Sequence, residues 1–184
     1  MGNERLKMMI LAALFAALMG VGAQIIIPVP PIPFTAQTLV LPLMAIILGK
    51  RYGTLSAALY VALGAVGIPV FAGMKAGLGI ILGPTGGFIL SYIPAVFLIG
   101  LIFEKGGRHT AAGIAATVTG ALFILFAGTV WYKWMGNLSW AGAFTGAMIP
   151  FIVPDILKAV FAAVLGVLIR KRLESARLLH AALR

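Results

Sequence analysis

Between Leu6 and Ile169 the chain is a succession of apolar runs, roughly 6–27, 36–49, 55–68, 87–103, 111–131 and 143–169, parted by loops that hold most of its charge. An α-helix needs about 20 apolar residues to cross a ~30 Å hydrocarbon core, because every backbone polar group at that depth must be satisfied within the segment. Six such runs predict an all-α membrane protein, a six-transmembrane-helix bundle. Composition agrees: 62% of the residues are hydrophobic and 10% are charged, whereas soluble domains carry about 25% charged residues. The expected organisation is a single integral membrane domain over 1–172 and a short cytoplasmic tail over 173–184, either an amphipathic helix or a disordered end. The second and third runs are short, since about 14 residues of helix reach only ~21 Å. They are expected either to extend into the flanking turns or to pack inside the bundle, and the sixth, the longest, to project beyond the outer surface.

The basic residues set the orientation. With the N-terminus cytoplasmic, Arg5, Lys7, Lys50, Arg51, Lys105, Arg108, Arg170, Lys171, Arg172, Arg177 and Arg184 fall inside. Only Lys75 and Lys133 then fall outside, and Lys158 lies within the membrane, so both termini are expected to be cytoplasmic. The same rule explains the formal charge of +10 and the isoelectric point near 10.6 without nucleic acid as a partner. The absence of cysteine excludes disulfides and thiolate metal sites. His109 and His180 have no metal partners at ligand spacing, so neither metal nor cofactor is expected. The run from Met8 to Ile27 is long enough to span, and it reads as a transmembrane segment and not a cleaved signal.

Asp155 and Lys158 are the two charges inside the sixth run. Three residues apart, they share a helix face. Each costs roughly 2.5–3.5 kcal/mol at bilayer depth, so the pair marks either a functional site or a self-neutralising structural contact. Counted from Ile169, Asp155 should lie in the outer third of the membrane. Pro150 and Pro154 precede it, and each frees a carbonyl one turn back, as happens where a helix lines a cavity.

Three outer loops are informative. In Pro28-Val29-Pro30-Pro31-Ile32-Pro33, four prolines in six residues forbid helix and favour a stiff lid or a bare connector. Thr35, Gln37 and Thr38 follow, and the Gln37 amide can both donate and accept, while Thr35 can cap the next helix. The second loop, 67–87, is long, apolar and glycine-rich, as expected of backbone that is buried or lines a cavity. In it, Thr85-Gly86-Gly87 opens a helix where a carboxylate could rest, and Lys75 could meet an anion or snorkel to the interface. The third loop gathers Trp131, Tyr132, Trp134 and Trp140, either an interfacial belt or a wall for a flat ring. In the first segment, Ala12/Ala16 and Ala13/Ala17 form small-residue faces, suited to packing within the bundle or to docking another membrane subunit.

Taken together, Pro33-Phe34-Thr35-Ala36-Gln37-Thr38, Gly67-Ile68-Pro69-Val70-Phe71-Ala72-Gly73, Gly83-Pro84-Thr85-Gly86-Gly87 and Pro154-Asp155-Ile156-Leu157-Lys158 resemble the BioY family over roughly residues 5 to 172. These are the biotin-specific S components of energy-coupling factor (ECF) transporters. The resemblance implies a multi-pass prokaryotic cell-membrane protein that binds biotin from outside. It would then dock on a module of one transmembrane T subunit and two cytoplasmic ATPases. It assigns Asp155 and Lys158 to biotin and the four alanines to the T subunit. Biotin's ureido group offers two N–H donors and a carbonyl, matching Asp155 and Lys158. Gln37 and Thr35 are further polar candidates, and Phe34, Phe71, Gly73 and Tyr92 complete the expected shell around the ring.

Competing readings are a membrane-embedded enzyme, an ion-coupled biotin carrier acting alone, and an S component for another small vitamin. An intramembrane enzyme would need a nucleophile with a base, paired carboxylates or a metal cluster. The segments offer one carboxylate and no histidine, so no enzymatic activity is expected, and ATP hydrolysis is assigned to partner subunits.

Overall fold

The computed structural model describes residues 2–28 and 32–176. Among them the chain forms α1 (Gly2–Gln24), β1 (Ile26–Ile27), β2 (Phe34–Thr35), α2 (Gln37–Ala65), α3 (Leu78–Ile81), α4 (Gly86–Lys105), α5 (Thr110–Gly136), α6 (Trp140–Ala147) and α7 (Ile149–Ser175). Five of these, α1, α2, α4, α5 and α7, are long and apolar enough to cross a membrane. The all-helical membrane fold is therefore as expected, while two of the anticipated segment boundaries change.

The first change joins segments two and three. Residues 50–54, read as a loop, are helical, and α2 is interrupted at Gly49 alone, where φ is 73° and ψ is 178°. Only glycine adopts that conformation without a steric penalty. The break turns the chain back on itself. Gln37 Nε2 lies 2.6 Å from Tyr60 Oη, although 23 residues of straight helix would separate them by ~34 Å. α2 is thus two antiparallel arms joined by a one-residue elbow, the short runs having extended into the turn.

The second change divides segment six. At Met148 the backbone leaves the helical region (φ −122°, ψ −57°), ending α6 and starting α7 with Pro150 in its first turn. Proline is favoured there because the first-turn amides have no intrahelical acceptor. At its other end α7 continues through Ser175, past the expected boundary at 172, and the tail beyond 176 lies outside the described residues.

α2 packs against α1, α4 and α7, and α5 closes the bundle between α4 and α7. At one end sits the elbow. Lys50 pairs with Glu104 at 3.1 Å, and the buried Arg170 donates to the Ile46 carbonyl at 2.7 Å and to Glu174 at 2.9 Å. A cation there suits the C-terminal end of the first α2 arm, whose last carbonyls lack helical partners. Lys105, Arg108, Lys171 and Arg172 are carried to this same end by α4, the α4–α5 turn and α7. The opposite end holds the loops that precede α2 and α4. There β1 pairs antiparallel with β2, Ile26 with Thr35 and Ile27 with Phe34, closing the base of the proline-rich loop.

Candidate functional site

Asp155 stands in the second turn of α7, only 4% exposed. Thr38, in the first turn of α2, donates its hydroxyl to Asp155 Oδ1 at 2.8 Å. Lys158, one turn along α7, donates to the same oxygen at 3.2 Å. Its ammonium also donates to Thr38 Oγ1 at 2.9 Å and to the Thr35 carbonyl at 2.9 Å. All three N–H donors are thereby used within the protein. The Phe34 ring covers the ammonium at 3.3 Å from its centroid, a cation–π contact. Lys158 thus clamps the β2–α2 junction to α7 and neutralises Asp155. Both protein hydrogen bonds to the carboxylate end on Oδ1, and Oδ2 has no protein partner among the described residues.

A second polar chain runs beside the first. Thr35 Oγ1 donates to Gln37 Oε1 at 3.2 Å, Gln37 Nε2 donates to Tyr60 Oη at 2.6 Å, and Tyr60 donates to the Val70 carbonyl at 3.2 Å. Thr35 Oγ1 also accepts from the Gln37 amide at 3.4 Å, but Ala36 is the N-cap of α2, so Thr35 stands one residue before the cap and does not fill the capping position expected of it. This chain crosses from the first α2 arm to the second and on to the loop 66–85, holding all three in register.

These groups surround a cavity of about 280 Å³, close to the lower limit of small-molecule pockets, ~300 Å³. Of the expected residues, Phe34, Thr35, Gln37, Phe71, Tyr92 and Asp155 line it. Lys158 and Gly73 do not. Lys158 lies behind Asp155, as described. Gly73 shapes the wall through its backbone, with φ of 72° at Gly73 and 57° at Met74 forming the turn of the Phe71–Lys75 bridge. Gln24 of α1 fastens that turn, donating to the Phe71 carbonyl at 3.1 Å and accepting from the Met74 amide at 2.9 Å.

The aromatic wall is larger than the sequence reading anticipated. Tyr60 meets Phe71 edge-on at 5.7 Å and Tyr92 at 6.4 Å between centroids. Phe34 stacks with Phe151 at 6.0 Å. Tyr60, Phe88 and Phe151 line the cavity and were not anticipated. Phe151 lies in the same apolar run, 143–169, and sits one helical turn before Asp155, a signal available in the sequence. Tyr60 lies in an apolar run with no motif around it, and only the elbow at Gly49 brings it to Gln37.

The tryptophans do not form a ring wall. Trp134 and Trp140 are exposed and flank Lys133 at 5.0 and 4.9 Å, as interfacial residues do. Trp131 instead donates to the Gly83 carbonyl at 2.9 Å and braces the loop before α4. The small-residue faces of α1 also separate. Ala12 and Ala16 are buried, with the Ser56 hydroxyl donating to the Ala12 carbonyl at 2.6 Å. That face packs within the bundle and is closed to a partner subunit, which corrects the expectation for these two residues. Ala13 and Ala17 remain exposed.

Comparison with known proteins gives this geometry a setting. The chain is 39% identical to the biotin transporter BioY of Thermotoga maritima, over 90% of this chain and 97% of that one. It is 41% identical to a probable biotin transporter BioY of Pyrococcus horikoshii, over 85% and 91%. A crystal structure described as the S-component for biotin from an ECF-type ABC transporter superposes with a TM-score of 0.85 at 25% identity, covering 93% of this chain and 94% of that one. The BioY family model matches residues 2–175, and this chain belongs to the BioY family.

Proposed function

We propose that this chain is the biotin-binding S component of an ECF-type transporter. It captures biotin on the outer side of a prokaryotic cell membrane and delivers it with an ATP-driven module. The observation that carries the reading is the Asp155 carboxylate, held on Oδ1 by Thr38 and Lys158 with Oδ2 unpartnered at an aromatic-lined cavity. A ureido N–H is a neutral donor that such an oxygen can accept from, and the fused rings of biotin suit walls of Phe34, Phe71, Tyr92 and Phe151. Lys158 serves here as a positioning residue, since its donors are consumed by the protein. With the loops of the site outside, both termini lie in the cytoplasm, in line with the basic residues gathered around the elbow. The exposed Ala13 and Ala17 are the face of α1 left for the transmembrane T subunit, beneath which two ATPases supply the energy. Biotin is the transported substrate in this scheme and no cofactor takes part.

The test is calorimetric titration of ligand-stripped protein in detergent with biotin, using Asp155→Asn and a different vitamin as controls. Wild type is expected to bind biotin saturably, and Asp155→Asn to bind about 100-fold more weakly, the scale for loss of a buried charged hydrogen-bond partner. Folded wild-type protein that ignores biotin would sink the assignment. Reconstitution in proteoliposomes, with and without the ATPase module, then decides the energy source. Ala17→Trp should bind biotin normally yet fail to transport it. Uptake driven by an ion gradient without ATPases would instead favour a carrier acting alone.

A further inference from the structure

The cavity is lined by two charged side chains, Asp155 and Lys75. They differ in every other respect. Asp155 is buried, hydrogen-bonded and neutralised by Lys158. Lys75 is exposed, carried near the middle of the loop 66–85, and its ammonium has no ion pair, hydrogen bond or aromatic partner among the described residues. Its backbone, by contrast, is fixed: the Phe71 amide donates to the Lys75 carbonyl at 3.0 Å, and Gln24 secures the turn between them. With the Asp155–Lys158 pair summing to zero, Lys75 leaves the site with a net positive charge at its outer rim.

The start of α4 is the other feature that could hold an anion, and three of its first four amides are engaged, all but that of the buried Gly87. Gly86 donates to the Gly83 carbonyl at 3.0 Å, and Phe88 and Ile89 donate to the Thr85 carbonyl at 3.2 and 3.3 Å. The geometry points to Lys75 as the residue that reads the anionic end of the ligand. Resting on the biotin assignment above, it makes the site selective for a monocarboxylate whose neutral, N–H-bearing head lies at Asp155 and whose tail reaches the rim. An ammonium–carboxylate hydrogen bond at a partly dehydrated rim corresponds to about 10- to 100-fold in affinity.

The experiment measures dissociation constants of biotin and of biotinamide, which carries no charge, for wild type, Lys75→Gln, Lys75→Arg and Lys75→Glu. Wild type is expected to prefer the acid by at least about tenfold. Lys75→Gln should bring the acid-to-amide ratio close to one, Lys75→Arg should keep the preference, and Lys75→Glu should reverse it. A misfolded variant would lose both ligands together, so the ratio reports on the tail alone. Equal affinity of wild type for acid and amide, or a ratio that survives Lys75→Gln, overturns the role of Lys75 and leaves the biotin site standing. Binding of neither ligand by wild type overturns both.

Discussion

Asp155 and Lys158 form a contact whose structural and functional values can be separated. Each side chain is largely buried, 6% exposed for Asp155 and 18% for Lys158. Removing one partner of such a pair strands the other charge, at a cost of about 3–5 kcal/mol, whereas replacing both with apolar residues is often neutral or stabilising. Lys158→Met is therefore expected to lower thermal stability substantially, and Asp155→Leu/Lys158→Met to recover most of it. Binding should not follow stability, because the double variant has no carboxylate for the ligand. A thermal-shift series alongside biotin titration checks this. A double variant that regains both stability and affinity would return the pair to a purely structural role. The charged motif was plain in the sequence, being two ions in an apolar run. Which oxygen stayed available was not, since that depends on Thr38 arriving from a helix 117 residues away.

At the level of elements, the site is formed where the loop 66–85 is pressed onto the second arm of α2. Phe71 is 1% exposed, and a Cβ added at Gly64 would overlap its ring at Cζ. Glycine is needed there for room and not for backbone conformation. Gly64→Ala should push the ring into the cavity or out of the wall, since overpacking a close contact costs roughly 1–3 kcal/mol. We expect biotin affinity to fall about tenfold, with most of that cost appearing at the site. Affinity equal to wild type would show that Phe71 is not a fixed wall. The apolar, glycine-rich composition of this loop pointed to backbone that is buried or lines a cavity; it lines the cavity, while only Phe71 and Ile81 in it are buried. The breaks at Gly49 and Met148 were not legible, because one glycine in an apolar run packs as often as it turns. Local composition does not register a change of direction that neighbouring helices decide.

For the whole molecule, the two ends have opposite chemistry. The elbow end gathers lysines and arginines with Glu104 and Glu174, while the other end carries the cavity, the proline-rich loop and exposed Met74. The proposed orientation places the cavity outside. The chain contains no cysteine, so Met74→Cys and Lys171→Cys each introduce a single reactive thiol. A membrane-impermeant maleimide should label Met74→Cys in intact cells, and Lys171→Cys only after permeabilisation. The reverse pattern would invert the topology.

Hydrophobicity and charge placement determined, from the sequence alone, that this chain is a helical membrane protein with an ion pair worth attention. Both follow from the cost of putting polar groups in hydrocarbon, which each residue bears wherever its neighbours lie. The tertiary structure decided which helices turn back, which alanines are exposed, and which side chains surround the cavity. Those outcomes depend on contacts between residues far apart in the chain. The elbow that brings Tyr60 to Gln37 is the clearest instance: its two ends are apolar helix in any local reading, and only their packing makes them one wall.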